Sequence, residues 1–156
     1  MAVMEREIEV NVPVSTAYNQ WTQFEDFPKF MEGIEAVDQI DDTTIRWRAS
    51  VAGRDKEWIA RITEQIPDER IAWQSEAGAN NAGIVTFRRL EDPASCQVAL
   101  QMEYDPEDFV ESAGDALGFV KRRIDADLER FKEFIENRGQ ETGAWRGTVG
   151  GPAQRR

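Results

Sequence analysis

The chain has 156 residues, 30 acidic against 19 basic, with no histidine and a single cysteine. That length supports one domain with its own core, and a net charge of −11 repels phosphate backbones, which argues against nucleic acid as a partner. Without histidine there is no imidazole triad, no Cys–His dyad and no imidazole metal ligand.

A zinc site of carboxylates alone is not expected, and no Gly-rich phosphate loop is present, so neither a metal nor a cofactor is anticipated. Cys96 has no second cysteine to pair with, which fits a reducing compartment. The N-terminus carries charge at Glu5, Arg6 and Glu7 where a secretion signal has its apolar run. No stretch reaches the roughly 20 apolar residues of a membrane span. The expectation is a soluble cytoplasmic protein.

In chain order, Glu7 to Val12 alternates and reads as a strand ended by Pro13. A short helix through Ala17, Tyr18 and Trp21 follows, with Ser15 as its expected N-cap. Phe24, Phe27, Phe30 and Met31, interrupted by Pro28, suggest a second short helix kinked against the first. Strands are expected over 34–40, 44–51, 58–66, 71–75, 84–90 and 97–104, with a tight turn at Pro67-Asp68-Glu69-Arg70. Ala77 to Gly83 reads as the most flexible internal loop. Because every connection is short, the strands should form an antiparallel meander.

From Glu111 to Arg138 the apolar residues Leu117, Val120, Ile124, Leu128, Phe131 and Ile135 advance by three or four and so share one helix face. Such a face must be buried, and only sheet is available to receive it. Residues 140–156 are Gly-rich and polar without periodicity, and read as a disordered tail in which Trp145 is the anomaly. The predicted fold is therefore α+β: a curved antiparallel sheet of about seven strands around a long C-terminal helix, with two short helices after the first strand. The domain spans 1–139 and the tail 140–156.

Two stretches carry a resemblance. One is Trp58-x-Ala60-x-Ile62-x-Glu64-Gln65-x-Pro67-x-x-Arg70-Ile71-Ala72-Trp73-x-Ser75, followed by Asn81-Ala82-Gly83-x-Val85-x-Phe87. The other is Val12-Pro13-x-x-x-Ala17-Tyr18-x-x-Trp21 with Phe24-x-x-Phe27-Pro28-x-Phe30-Met31. Together they resemble the polyketide cyclase/dehydrase branch of the START-like (SRPBCC, helix-grip) superfamily, to which coenzyme Q-binding proteins are also related. The resemblance implies a helix-grip fold over roughly residues 5 to 138. The superfamily holds lipid carriers, quinone binders, aromatase/cyclases and hormone receptors, among which fold does not choose. No catalytic set carries over residue by residue.

If Ile66 lies opposite Ile71 across the hairpin, then Glu64 faces Trp73 and Ile62 faces Ser75 on one side of the sheet, which also takes Ala60, Trp58, Trp47 and Ala49. Trp47, Trp58, Ile62, Trp73, Phe87, Met102 and Tyr104, with Leu117, Val120 and Ile124 of the helix, are the candidate ligand contacts; Glu64 and Ser75 are the polar exceptions. The three indoles either line a cavity or interlock as solid core. Glu64 either points inward or pairs with an arginine at the surface. Arg48 and Arg61 face solvent in this register, and a slip of one residue would turn them inward.

Access is expected between Asn80-Asn81 and Phe109-Val110. The leading expectation is a non-catalytic binder or carrier of a small hydrophobic molecule such as a lipid, quinone or polyketide-like aromatic. The alternatives are an aromatase/cyclase, with Glu64 as base and Tyr104 as proton donor, and an interaction module resembling ribosome-association toxins.

Overall fold

Period-two alternation builds one sheet, and the period of 3.6 in the last third of the chain builds its cover. A computed structural model describes residues 2–51, 53–105 and 113–150, without the side chains of Val51 and residues 113–119. Strand β1 (Ala2–Val10) leads into helix α1 (Val14–Trp21) and a 3-10 helix (Phe24–Lys29). Strands β2 (Ile34–Gln39), β3 (Thr44–Val51), β4 (Arg54–Ile66), β5 (Arg70–Gly78), β6 (Asn81–Arg89) and β7 (Cys96–Tyr104) follow, and α2 (Ala113–Arg138) is the last helix.

The seven strands lie in the order β1-β7-β6-β5-β4-β3-β2, so the first strand returns to pair with the last. All pairs are antiparallel, and the sheet curls into a half-barrel. The first strand starts earlier than alternation indicated, because Ala2 already pairs with Tyr104. Helix α2 lays Val120, Ile124, Leu128, Phe131 and Ile135 against the concave face. Its polar side is tied to β1 by the Arg6–Asp125 pair and by Lys132 Nζ, which donates to the Glu9 carbonyl (2.9 Å).

Three local expectations are corrected. Helix α1 begins directly after Pro13, with no side-chain cap from Ser15; the Pro13 carbonyl instead accepts from the Thr16 and Ala17 amides, and proline's fixed φ suits that position. The Ala77–Gly83 stretch is mostly strand. Its turn is pinned by Asp105 N–H donating to the Asn80 carbonyl (3.1 Å), and Asn81 is buried.

Residues 140–150, expected to be disordered, run back along the body. The Thr142 amide donates to Gln20 Oε1 (2.9 Å) and the Trp145 amide to Thr22 Oγ1 (3.1 Å). Arg146 pairs with Asp68 (2.9 Å), and its guanidinium sits 5.6 Å from the Tyr18 ring centre. Val149 and Gln65 exchange both backbone hydrogen bonds, at 2.8 and 2.9 Å. None of these contacts requires periodicity, which is why the pattern could not reveal them. Residues 151–156 lie outside the described residues.

The interior has two characters. Near α1 it is solid: Trp21 meets Phe27, Phe87 and Phe131 edge-on with ring centres 5.4, 6.1 and 5.0 Å apart. Towards the first half of α2, the large side chains Trp47, Trp73, Met102 and Ile124 remain half-buried although they belong to the core clusters. Apolar groups inside a fold keep accessible surface only where neighbours fail to fill the space.

Candidate functional site: a divided hollow between sheet and helix

The space they leave is a pair of adjoining hollows. The inner one, about 130 Å³, is bounded by Trp21, Phe24, Phe27 and Met31 from the helical segment, by Ile45, Trp47, Ile62, Ile71, Trp73, Leu100 and Met102 from the sheet, and by Ile34, Ile124 and Asp127. The outer one, about 100 Å³, is lined by Gly33, Ala49, Ser50, Trp58, Val120 and Arg123 among others. Ile34, Met102, Ile124 and Asp127 belong to both walls.

Asp127 is the one polar side chain on the inner wall among the described residues. It sits three residues after Ile124 and four before Phe131, on the apolar stripe itself. It is 6% exposed. Burial pushes its carboxyl up to about 6, against the opposing pull of the Arg130 hydrogen bond and charge, the Arg123 charge and the Glu32 amide.

The same group fastens the turn that walls the hollow. Arg130 donates to Asp127 Oδ1 (2.7 Å) and to the Phe30 carbonyl (3.0 Å), while Arg123 donates to the Glu32 carbonyl (2.7 Å). Gly33 permits that approach: at φ 96° a β-carbon there would lie 2.0 Å from an Arg123 nitrogen.

Of the residues expected to contact a ligand, Trp47, Ile62 and Trp73 line the inner hollow, Trp58 and Val120 the outer, and Met102 and Ile124 both. Trp47 and Trp58 stack on each other, 8° from parallel with centres 6.1 Å apart. Phe87 lies in the solid half, edge-on to Tyr18 (5.4 Å). Tyr104 is buried (1% exposed) in the cluster with Met4 and Ala49, and is not part of either wall. Ser75 Oγ accepts the Asn81 amide (3.1 Å) and so fastens a turn. The Leu117 side chain, Phe109 and Val110 lie outside the described residues. The outer hollow is lined by Glu32, Gly33 and Ile34 before and in β2 and by Ala49 and Ser50 of β3; neither Asn80 nor Asn81, expected to flank the access, lines it.

Glu64 is absent from both walls. The hairpin pairs Ile66 with Arg70 rather than with Ile71, which sets Glu64 against Ala72; a bulge at Thr63 then sets Ile62 against Trp73, and Gln65 takes the buried position. Glu64 instead forms a two-pronged pair with Arg70 (2.8 and 3.3 Å), whose hydrogen bonds hold its carboxyl below the ordinary value. A carboxylate so stabilised is a poor base. Glu64→Gln is expected to cost no more than about 1 kcal/mol in stability and to leave ligand affinity unchanged, as denaturant melts and titration calorimetry would show. Arg48 and Arg61 stay exposed, Arg61 paired with Glu76 (2.9 Å).

Among solved structures, the Zhui aromatase/cyclase from Streptomyces sp. R1128 superposes with a TM-score of 0.72 at 16% identity, covering 92% of this chain and 99% of that one. A START superfamily protein from Mycobacterium smegmatis gives 0.67 at 16% identity, over 87% and 95% of the two chains. These likenesses establish the helix-grip fold. In sequence, an uncharacterised 17.2 kDa protein of Streptomyces lincolnensis is 59% identical over 150 residues, 96% of this chain and 99% of its own. The model of the family described as "Polyketide cyclase / dehydrase and lipid transport" matches residues 10–135, from the end of β1 to the last turn of α2. Both hollows are enclosed within that span, and the chain belongs to the polyketide cyclase/dehydrase and lipid transport family.

Proposed function

We propose that the protein binds or carries a small ring-bearing hydrophobic molecule in the divided hollow. The supporting observation is the inner wall: among the described residues every lining side chain except Asp127 is apolar, and much of the wall is aromatic. Such a wall holds a guest by area and orients it with few polar groups. The inner hollow, about 130 Å³, compares with the apolar cavity of about 150 Å³ known to take benzene. Burying roughly 150 Å² of guest surface at about 25 cal/mol per Å² yields ~4 kcal/mol, which corresponds to a millimolar constant. Native mass spectrometry of freshly purified protein, with calorimetric titration of single-ring compounds, tests the proposal. One apolar molecule per chain is the expected result; no bound compound and no titration heat for any of them would refute it.

One observation favours a second reading. Asp127 faces the hollow with its carboxyl near 6, suited to exchange a proton with a guest near neutrality. In an aldol condensation of a confined polyketone, Asp127 would remove a proton from the carbon between two carbonyls and return it to the alkoxide. Cyclisation of a poly-β-ketone substrate by the protein, lost in Asp127→Asn and rising through about pH 6, distinguishes this from simple binding.

A further inference from the structure

One row of the concave face decides how deep the inner hollow is. Ile62, Trp73, Gly83, Met102 and Met4 lie side by side on successive strands from β4 across to β1. Four of them project a side chain; Gly83 does not. The Trp73 indole occupies the gap: a β-carbon at Gly83 would fall 2.5 Å from its Cζ2 and 2.7 Å from its Cη2. No packed side chain tolerates such distances, so the six-membered ring rests on the bare Gly83 backbone.

The indole N–H is held as well. It donates to Asn81 Oδ1 (3.1 Å), and Asn81 is itself anchored by its Nδ2 donating to the Ala79 carbonyl (3.1 Å) and its amide donating to Ser75 Oγ (3.1 Å). Asn81 is 1% exposed, and turning it would leave buried polar atoms without partners. Trp73 therefore reaches the hollow with its one donor already used.

We infer that Trp73, seated on Gly83 and tethered by Asn81, is the specificity-determining residue of the hollow, limiting the inner guest to about one ring and selecting apolar rings over guests that require a donor there. This rests on the binding reading above. Trp73→Phe shortens the side chain, opens space over Gly83 and admits a larger guest. Gly83→Ala lifts the indole off the sheet into the hollow and shrinks it.

The test is titration of the full chain with toluene and with naphthalene, in the native protein, Trp73→Phe and Gly83→Ala. The native protein is expected to prefer toluene by about tenfold or more, Trp73→Phe to lose or reverse that preference, and Gly83→Ala to weaken toluene by about tenfold. The Trp73 indole N–H resonance, protected from exchange in the native protein, is expected to shift and exchange faster in Gly83→Ala. If Gly83→Ala does not fold, Asn81→Leu, which frees the indole, must change the toluene-to-naphthalene ratio. A folded Trp73→Phe with the native ratio overturns this inference and leaves the binding reading intact. A native protein that takes up neither probe overturns both.

Discussion

Ending the chain at Gly139 is expected to lower the midpoint of thermal unfolding by about 6–12 °C. The removed segment supplies two backbone hydrogen bonds between Val149 and Gln65, the Thr142 and Trp145 amide bonds to α1, and the Arg146–Asp68 pair. Each backbone bond contributes about 0.5–1.5 kcal/mol net, and a partly exposed ion pair less than about 1 kcal/mol. A sum near 3 kcal/mol, at about 2–4 °C per kcal/mol for a chain of this size, gives that range. Arg146→Ala alone should account for about 1 kcal/mol. Tyr18, fully buried beneath Arg146, should become accessible to solvent quenchers in the shortened chain. Identical melts for the full and shortened chains would mean that the segment contributes nothing to the fold.

That segment also shows what pattern-reading detects and what it misses. Strands and helices were foreseen because burial imposes a period on the residues that form them: Ile45, Trp47 and Ala49 on β3, and Val120, Ile124, Leu128, Phe131 and Ile135 on α2. Residues 140–150 owe their order to contacts far along the chain, namely hydrogen bonds with side chains of 19–22, the Arg146–Asp68 pair and the backbone bonds of Val149 with Gln65, and such contacts leave no period. The expected β4–β5 register fails from the hairpin onward: Ile66 pairs with Arg70 rather than Ile71, and a bulge at Thr63 shifts it again, so that Gln65 rather than Glu64 is buried. Bulges follow from local twist and crowding rather than composition.

The faces that alternation and helix period assign to Trp47, Trp58, Ile62, Trp73, Met102, Val120 and Ile124 are the ones that border the hollow; its outline is legible in the sequence. Its volume is not, because a void is the small difference between a frame and its filling. Asp127 was missed although its position on the helix stripe marks it: a carboxylate spaced with Ile124 and Phe131 must either break the helix's apolar face or be held there by partners. Arg130, three residues on, is the second half of that signal.

Replacing Asp127 by asparagine is expected to change how stability depends on pH between about pH 4 and pH 7. The carboxyl titrates at about 6 in the folded protein against an ordinary 3.8. Between those values the native state holds a proton that the unfolded chain has released, so stability falls as pH rises through the window. The stabilisation is complete below about pH 4 and lost above about pH 6, and the shift corresponds to about 3 kcal/mol. The asparagine amide cannot ionise, yet its oxygen still accepts from Arg130. The native protein should therefore lose about 3 kcal/mol relative to Asp127→Asn between pH 4 and pH 7. Urea unfolding of both proteins at the two pH values measures this difference directly and cancels the titration of the other carboxylates. A difference that does not change with pH would place the folded carboxyl at its ordinary value, ionised beside Arg130 throughout the range. The hollow would then hold a fixed charge on its inner wall, and among the described residues no group on that wall would exchange a proton with a guest near neutral pH.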